Sequence, residues 1–525
     1  MAATAVHELP RAGPPALGEH ARDDALLPLA AALRDRPGAF WLDSARPGAQ
    51  LGRFSYAGAD PYGVVRAYGA ALEVECARAA RPDVAVGRTR AEGDPLALLA
   101  PLLEPRSVRD DASRPPFVGG GVGWLGYELA AQLEPALVLR ARDDLGLPDV
   151  ALLLVDRLVA LEHRSGRRFA CALGFGETEA DARRRAAAAL DAWRAELDAL
   201  ERVEPEHAAP ERSRCAAGGV RAEPSAGSSL DAHAYRAAVA RLLDHIGEGD
   251  VYQACLTRRV EQPFAGDPWA LYVALRAASP APFAAWLSLP EATLLSTSPE
   301  RFLEVRADGA VETRPIKGTR PRASDPARDR ALGAELLASA KDRAENLMIV
   351  DLARHDLGRV CETGSVEVPE LAVLESYANV HHLVSTVRGR LRPGLSALDA
   401  VRAAFPPGSM TGAPKLAAMR LLDRAEPVRR GPYAGALGWF DVRGGASLAV
   451  VIRTALLRGG RAYVHTGGGV VADSDPDAEW RESEDKVRPL LEALRAPAAA
   501  DEAVARLAEH DPAESSRHPD AAAPG

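Results

Sequence analysis

The stretch "SLAVVIRTALLRGGRAYVHTGGGVVADS" (447–474) constrains the fold more than any other. Two runs rich in β-branched and apolar residues flank Gly459–Gly460, and a two-glycine link makes the flanking runs a tight hairpin. The strands are then antiparallel neighbours. From Phe40 to Gly176 the chain has the same texture, in "ALEVECA" (71–77), "VALLLVDRLVALEH" (150–163) and "GRRFACALGFG" (166–176). Short apolar runs punctuated by glycine predict an antiparallel sheet. Helices are predicted between such runs. In 178–200, Thr178 and Asp181 resemble a capping box, and Leu190, Trp193, Leu197 and Leu200 recur at helical spacing. Another helix starts near Asp231, with an apolar face of Leu242, Leu243 and Ile246, and Gly247 and Gly249 stop it. From there to about residue 495 strands alternate with helices, so the class is α+β.

Residues 1–24 and 496–525 are rich in Ala, Pro and charge and are expected to be disordered tails. The stretch 204–229, with Pro205, Pro210, Pro224 and paired glycines, is the expected linker between an N-terminal unit (25–203) and a second unit (230–495). A net charge of −9 argues against a nucleic-acid binder, which needs a basic face. Five scattered cysteines without CxxC spacing suggest neither a disulfide framework nor a zinc site. The apolar run 150–161 is short and broken by Asp156 and Arg157, so no membrane span is expected. No signal peptide is evident, and a cytoplasmic location is expected.

The chemistry concentrates in the second unit. "RPIKGTRPR" (314–322) packs Arg314, Lys317, Arg320 and Arg322 into nine residues of an acidic chain. It reads either as a solvated strand or as a pocket for a small anion. In "AEWRESEDKVRPLLEAL" (478–494), Glu479, Glu482 and Lys486 share one helix face. They form either a hard-cation site or an exposed i,i+4 pair. Gly467–Gly469 follow a strand, where they serve either close approach to an anion or a bulge. Glu345 in helix 341–360, Glu300 at the turn of "LLSTSPERFLEV" (294–305), and His381–His382 in "ANVHHLVSTV" (378–387) each have a bland reading too: a solvated glutamate, a turn residue, a core histidine.

In their order along the chain, these motifs resemble the chorismate-utilising enzymes. That family includes anthranilate synthase component I, aminodeoxychorismate synthase component I, and the isochorismate and salicylate synthases. The matching stretches include "GDVYQACLTRR" (249–259), "SPERFLEV" (298–305), "RPIKGTRPR", "AENLMIVDLARHDLGRV" (344–360), "VHHLVSTVRG" (380–389), "SMTGAPK" (409–415), "GPYAGALGW" (431–439), "VIRTA" (451–455) and "GGGVVADSDPDAEWRESEDK" (467–486). The resemblance covers roughly residues 230–495. "FWLDSA" (40–45) and "GRFSYAGADP" (52–61) look like the family's N-terminal part. The implied fold is that of anthranilate synthase component I: two large antiparallel sheets packed as a sandwich with flanking helices, the two halves of the chain interleaved.

The resemblance also implies roles. Glu345 and Glu482 match direct Mg²⁺ ligands, and Glu479 matches a glutamate acting through water. Gly318, Thr319, Tyr433, Arg453, Gly467, Gly468, Gly469 and Lys486 match chorismate-binding positions. Glu300 matches the acid at the C4 hydroxyl and His382 an active-site histidine. Chorismate is a dicarboxylate, so cations and backbone donors must receive it. Hydroxide leaves poorly, so a proton donor and a Lewis acid must act on it.

Lys317 selects a branch. Anthranilate synthases read "PIAGT" here and aminodeoxychorismate synthases "PIKGT". In the family mechanism this lysine adds at C2 while the C4 hydroxyl leaves; ammonia then adds at C4. An amine pressed among other cations is expected to be nucleophilic, while the neighbouring arginines stabilise the loop and its acidic surroundings. Isochorismate and salicylate synthases carry a lysine where this chain has Ala254. The implied activity is that of aminodeoxychorismate synthase component I, feeding 4-aminobenzoate and folate. The alternatives are anthranilate synthase component I and, more distantly, a non-catalytic scaffold for a glutaminase. No cysteine sits in a glycine-rich nucleophile turn, so either a separate glutamine amidotransferase subunit is implied or free ammonia serves. Ser44 with Pro282, Phe283 and Ala284 matches the family's tryptophan pocket. His355 replaces the asparagine of the family's "LARND".

Overall fold

The computed structural model describes residues 1–10, 25–45, 51–103, 114–202, 227–377 and 380–495. Two twelve-stranded sheets dominate, and every pairing between their strands is antiparallel. The hairpin is present: Thr454–Arg458 pairs with Arg461–Val470. Gly459 and Gly460 turn the corner at φ +56° and +72°, values that only glycine adopts without cost.

The run 150–163 is two strands, not one. Val150–Val155 belongs to the second sheet and Arg157–Glu162 to the first, so the chain changes sheet at Asp156. Arg78 pairs with Asp156 at that corner. The Ser298–Glu300 turn makes the same crossing, from Thr293–Ser298 in the first sheet to Arg301–Val305 in the second.

The inner faces share one core, with Tyr56, Phe169 and Leu294 from the first sheet against Trp124, Leu152 and Phe440 from the second. The outer face of the first sheet buries Trp41, Leu161 and Val464 under helices that contribute Trp193, Tyr272 and Leu490. Each such side chain contributes about 1.5–3 kcal/mol on leaving water. Both sheets draw on both halves of the sequence. Phe40–Asp43 pairs with Phe283–Ser288, and Gly120–Leu125 pairs with Ala436–Asp441.

The N-terminal expectation needs correction. Ala2–Leu9 is an edge strand paired residue for residue with Leu9↔Arg168 through Ala2↔Phe175, and the terminal amine donates to the Gly176 carbonyl at 2.8 Å. An edge strand gains its ladder from backbone groups, so alanine-rich sequence suffices, and composition alone misread it as a tail. Residues 11–24, 203–226 and 496–525, where the rest of the tails and most of the linker were expected, lie outside the described residues. The end of the linker stretch, Gly227–Ser228, is itself a short strand on Gln253–Pro263.

The predicted helices are Glu179–Arg202, where Thr178 Oγ1 accepts the Asp181 N–H at 3.1 Å, Ala232–Gly247, Ala340–Gly358 and Pro476–Arg495. Among the described residues no helix is long and apolar enough to cross a membrane, and the four cysteines are free and buried.

Candidate active site

Lys317 lies on the strand Ile316–Pro321, which pairs with Val380–Arg390. The ladder slips between Lys317 and Thr319, at Gly318 with φ +79°. Such a bulge re-aims side chains. Lys317 Nζ donates to the Ser409 carbonyl at 3.3 Å. Its charge acts on Glu300, Glu345 and Glu482, carboxylates from three separate elements. The other cations of "RPIKGTRPR" are occupied elsewhere. Arg314 pairs with Glu375, Arg320 with Glu335 and Asp342, and Arg322 with Asp329. They brace the strand, as expected, but do not crowd the lysine as the sequence reading had it. Their charge is spent on carboxylates of neighbouring elements.

Glu300 is 5% exposed. Burial pushes its carboxyl up to about 7, against the opposing pull of the Ser409 hydroxyl, the Lys317 charge and the Ile316 N–H. Desolvation thus yields an acid protonated near neutrality. His382 pairs across the ladder with Thr319, and its Nδ1 lies 2.9 Å from Thr319 Oγ1 and 3.4 Å from the Gly318 carbonyl. Nδ1 thus meets both a hydroxyl and a carbonyl, while Nε2 is buried with no partner among the described residues. Burial, followed by the charge of Arg453, holds this imidazole down to about 4, so it is neutral.

The glutamates converge from two helices. Glu345 follows Ser339, whose side chain caps the helix by accepting the Asp342 N–H. Burial raises the Glu345 carboxyl. Glu479, 5% exposed, accepts from Ser474 Oγ at 2.7 Å through Oε1, while its Oε2 is buried with no partner. Burial raises Glu479 as well. Burial works the same way on Glu482 and is the largest single influence, but the charge and hydrogen bond of Lys486, with the charges of Lys317 and Lys341, together outweigh it and hold Glu482 low. Lys486 Nζ lies 2.6 Å from Glu482 and donates to the Gly467 carbonyl at 2.9 Å.

Gly467–Gly469 form neither a bulge nor a turn. They continue the strand Arg461–Val470 in register with Thr257, Leu256 and Cys255. Their role is to be bare. A Cβ on Gly468 would lie 2.6 Å from Glu479 Oε2 and 3.4 Å from Glu482 Oε1. One on Gly469 would lie 2.2 Å from Gln253 Nε2.

An oxygen-rich cluster with one orphaned buried carboxylate oxygen fits a hard divalent cation. It is not a closed ligand set. Among the described residues, the trio with ligand atoms all within 4.8 Å of one another is His245, Glu248 and Asp250 at the surface. The wider spread of Glu345, Glu479 and Glu482 suits an ion that keeps waters and shares a ligand with substrate.

Arg453 sits at φ +49°. Burial lowers its guanidinium, and no carboxylate of the described residues pairs with it. Tyr433 stacks on His465 with ring centroids 4.8 Å apart. Ser44, Pro282, Phe283 and Ala284 gather apart from these residues, in a cleft of about 610 Å³ walled by both sheets, with Phe54 and Trp439.

Two residues went unassigned from sequence. Ser409, which opens the "SMTGAPK" motif, holds Lys317 through its carbonyl and faces Glu300. Gln253, 1% exposed and with both amide atoms lacking a partner among the described residues, adjoins Ala254.

Fold and site define the class: the chain belongs to the chorismate binding enzyme family, whose profile matches residues 39–492. Among individual relatives, it is 44% identical to an aminodeoxychorismate synthase of Streptomyces pristinaespiralis over 91% of this chain and 65% of that protein. It is 43% identical to one of Streptomyces griseus over 87% and 60%. The chain thus spans about two thirds or less of these relatives' length. It is 37% identical to the anthranilate synthase component 1 of Pseudomonas putida over 88% and 91%. The crystal structure of anthranilate synthase component I from Streptococcus pneumoniae superposes with TM-score 0.69 at 28% identity, covering 83% of this chain and 92% of that one.

Proposed function

We propose that this chain is the chorismate-aminating component of an aminodeoxychorismate synthase, forming 4-amino-4-deoxychorismate on the way to 4-aminobenzoate and folate. The observation that carries the reading is Lys317: an amine tethered to the Ser409 carbonyl with its field on Glu300, Glu345 and Glu482.

In this reading Arg453, Tyr433, Lys486 and the bared backbone of Gly467–Gly469 receive the two carboxylates of chorismate. Glu300, protonated, donates to the C4 hydroxyl, which leaves as water. The Lys317 amine adds at C2 as that bond breaks; ammonia adds at C4, and the lysine departs with its electron pair. Gly318, Thr319 and neutral His382 line the same wall, and His382 Nε2 is available to accept a substrate proton. Glu345 and Glu482, with Glu479 through water, would hold Mg²⁺. When bound, the ion supplies positive charge to a substrate carboxylate.

Ammonia has to come from outside this site. The four described cysteines are buried, and burial raises every one of their thiols. A glutamine amidotransferase partner is the proposed source. The cleft at Ser44, Pro282, Phe283 and Ala284 is proposed to take tryptophan.

The similarity to anthranilate synthase component 1 over most of both chains keeps that activity as the second reading. Product analysis separates them. With chorismate, Mg²⁺ and ammonium, the chain is expected to yield aminodeoxychorismate, read as 4-aminobenzoate after lyase treatment. Direct release of anthranilate and pyruvate would overturn the assignment.

A further inference from the structure

A second space touches Glu300. A cavity of about 30 Å³ is lined by Glu300, Thr313, Ile349, Ala353, Asp356 and Ser409 among others, and by none of Lys317, His382, Glu345, Glu482 or Arg453. Since a water needs roughly 10–15 Å³, it has room for one or two. Its polar lining supplies the partners such waters require. The Ser409 hydroxyl is buried and faces Glu300. Asp356, 6% exposed, is held by Lys415 Nζ at 2.8 Å, and Lys415 also donates to the Ala404 carbonyl at 2.6 Å. Glu345, Ile349, Ala353 and Asp356 follow one another at steps of four, four and three, a single stripe of the helix Ala340–Gly358. One helix face therefore carries a carboxylate toward the Lys317 side and a second, paired carboxylate to this cavity.

We propose that water in this cavity links Glu300 to the Asp356–Lys415 pair and returns the proton that Glu300 spends, by a path separate from the substrate face. The inference rests on the reading of Glu300 as the general acid. The protons balance. Glu300 gives one proton to the departing hydroxyl, which leaves as water with the C–O electron pair. The carboxylate left behind takes a proton from cavity water. That water is reprotonated from the Asp356–Lys415 end, where the Lys415 side chain is 13% exposed, so one solvent proton is consumed. Asp356 and Lys415 are positioning residues here, since neither touches substrate.

The test fills the cavity without touching a polar group. Ala353→Val, assayed as full chain with chorismate, Mg²⁺ and ammonium, is expected to leave KM for chorismate unchanged. It should lower kcat by about tenfold, part of the 10²–10⁴ that a positioned proton donor supplies. The solvent deuterium isotope effect on kcat should grow. The charge-balanced pair Asp356→Asn with Lys415→Gln should do the same, and it decides the matter if Ala353→Val fails to fold. Unchanged kcat and isotope effect in a folded variant, or a dry cavity in a high-resolution crystal structure, would overturn the relay. Glu300→Gln separates the two levels. If that variant keeps full activity, the general-acid reading itself is wrong; if it is inactive while the cavity variants behave as wild type, the relay alone is wrong.

Discussion

At the scale of single residues, the site depends on which charges burial leaves in place. Lys317→Ala removes the one cation of "RPIKGTRPR" that faces the glutamates. Turnover is expected to fall at least about 10²-fold with the circular dichroism spectrum unchanged, because the other cations keep their own partners. Wild-type rates in this variant would exclude a covalent role. For Glu300 the folded carboxyl sits near 7, above its ordinary value, so the proton is present below about pH 7 and lost above it. The kcat/KM profile should therefore fall on the alkaline side of about pH 7, and Glu300→Gln should lack that limb and lose about 10²–10⁴-fold in kcat. His382 behaves oppositely. Its folded value near 4 lies below the ordinary 6.5. The neutral ring contributes stability above pH 6.5, which is lost as pH falls toward 4. The loss approaches about 3 kcal/mol. Thermal melts from pH 7 to 4 should show a smaller decline for His382→Gln than for the parent chain.

At the scale of elements, the glycine triplet is a stretch of strand stripped of side chains so that a helix can bring carboxylates onto it. Neighbouring glycines should then fail differently. A Cβ on Gly468 meets the carboxylates of Glu479 and Glu482 first, whereas one on Gly467 would lie 2.0 Å from the Leu256 carbonyl oxygen inside the ladder. Gly468→Ala is expected to raise the half-saturating Mg²⁺ concentration by about 10–100-fold while the metal-free melting temperature holds. Gly467→Ala should lower the melting temperature itself, since the clash is with backbone and costs ~1–3 kcal/mol or more. Titration of activity with Mg²⁺, beside calorimetry, distinguishes them; equal melting losses would remove the division of labour.

At the scale of the whole molecule, the ladders tie the two halves of the sequence together. Phe40–Asp43 is sandwiched between Phe54–Gly58 and Phe283–Ser288, and Gly120–Leu125 between Val150–Val155 and Ala436–Asp441. Fragments 1–202 and 227–525, expressed apart, would each expose open edges of a broken core. They are expected to be insoluble alone and to form one soluble complex when co-expressed. Two independently soluble, cooperatively melting fragments would contradict the interleaving.

The hairpin at Gly459–Gly460, the helix faces and the antiparallel class were legible because they follow from local periodicity and turn chemistry, which act over a few residues. The strand at Ala2–Leu9 was not, since its stability comes from a partner more than 150 positions away and its alanines carry no signal. Nor was the sheet change at Asp156, where one apolar run serves two sheets and only the packing divides it. The candidate site shows the same boundary. By residue type and spacing Glu300, Glu345 and Glu482 each kept a bland reading, and it was the resemblance to the chorismate-utilising enzymes that nominated them together with Lys317. Which cation stays unspent, which carboxyl keeps its proton and which serine holds the amine were decided by tertiary structure alone, because burial and Coulomb fields depend on distance in space and not on distance along the chain.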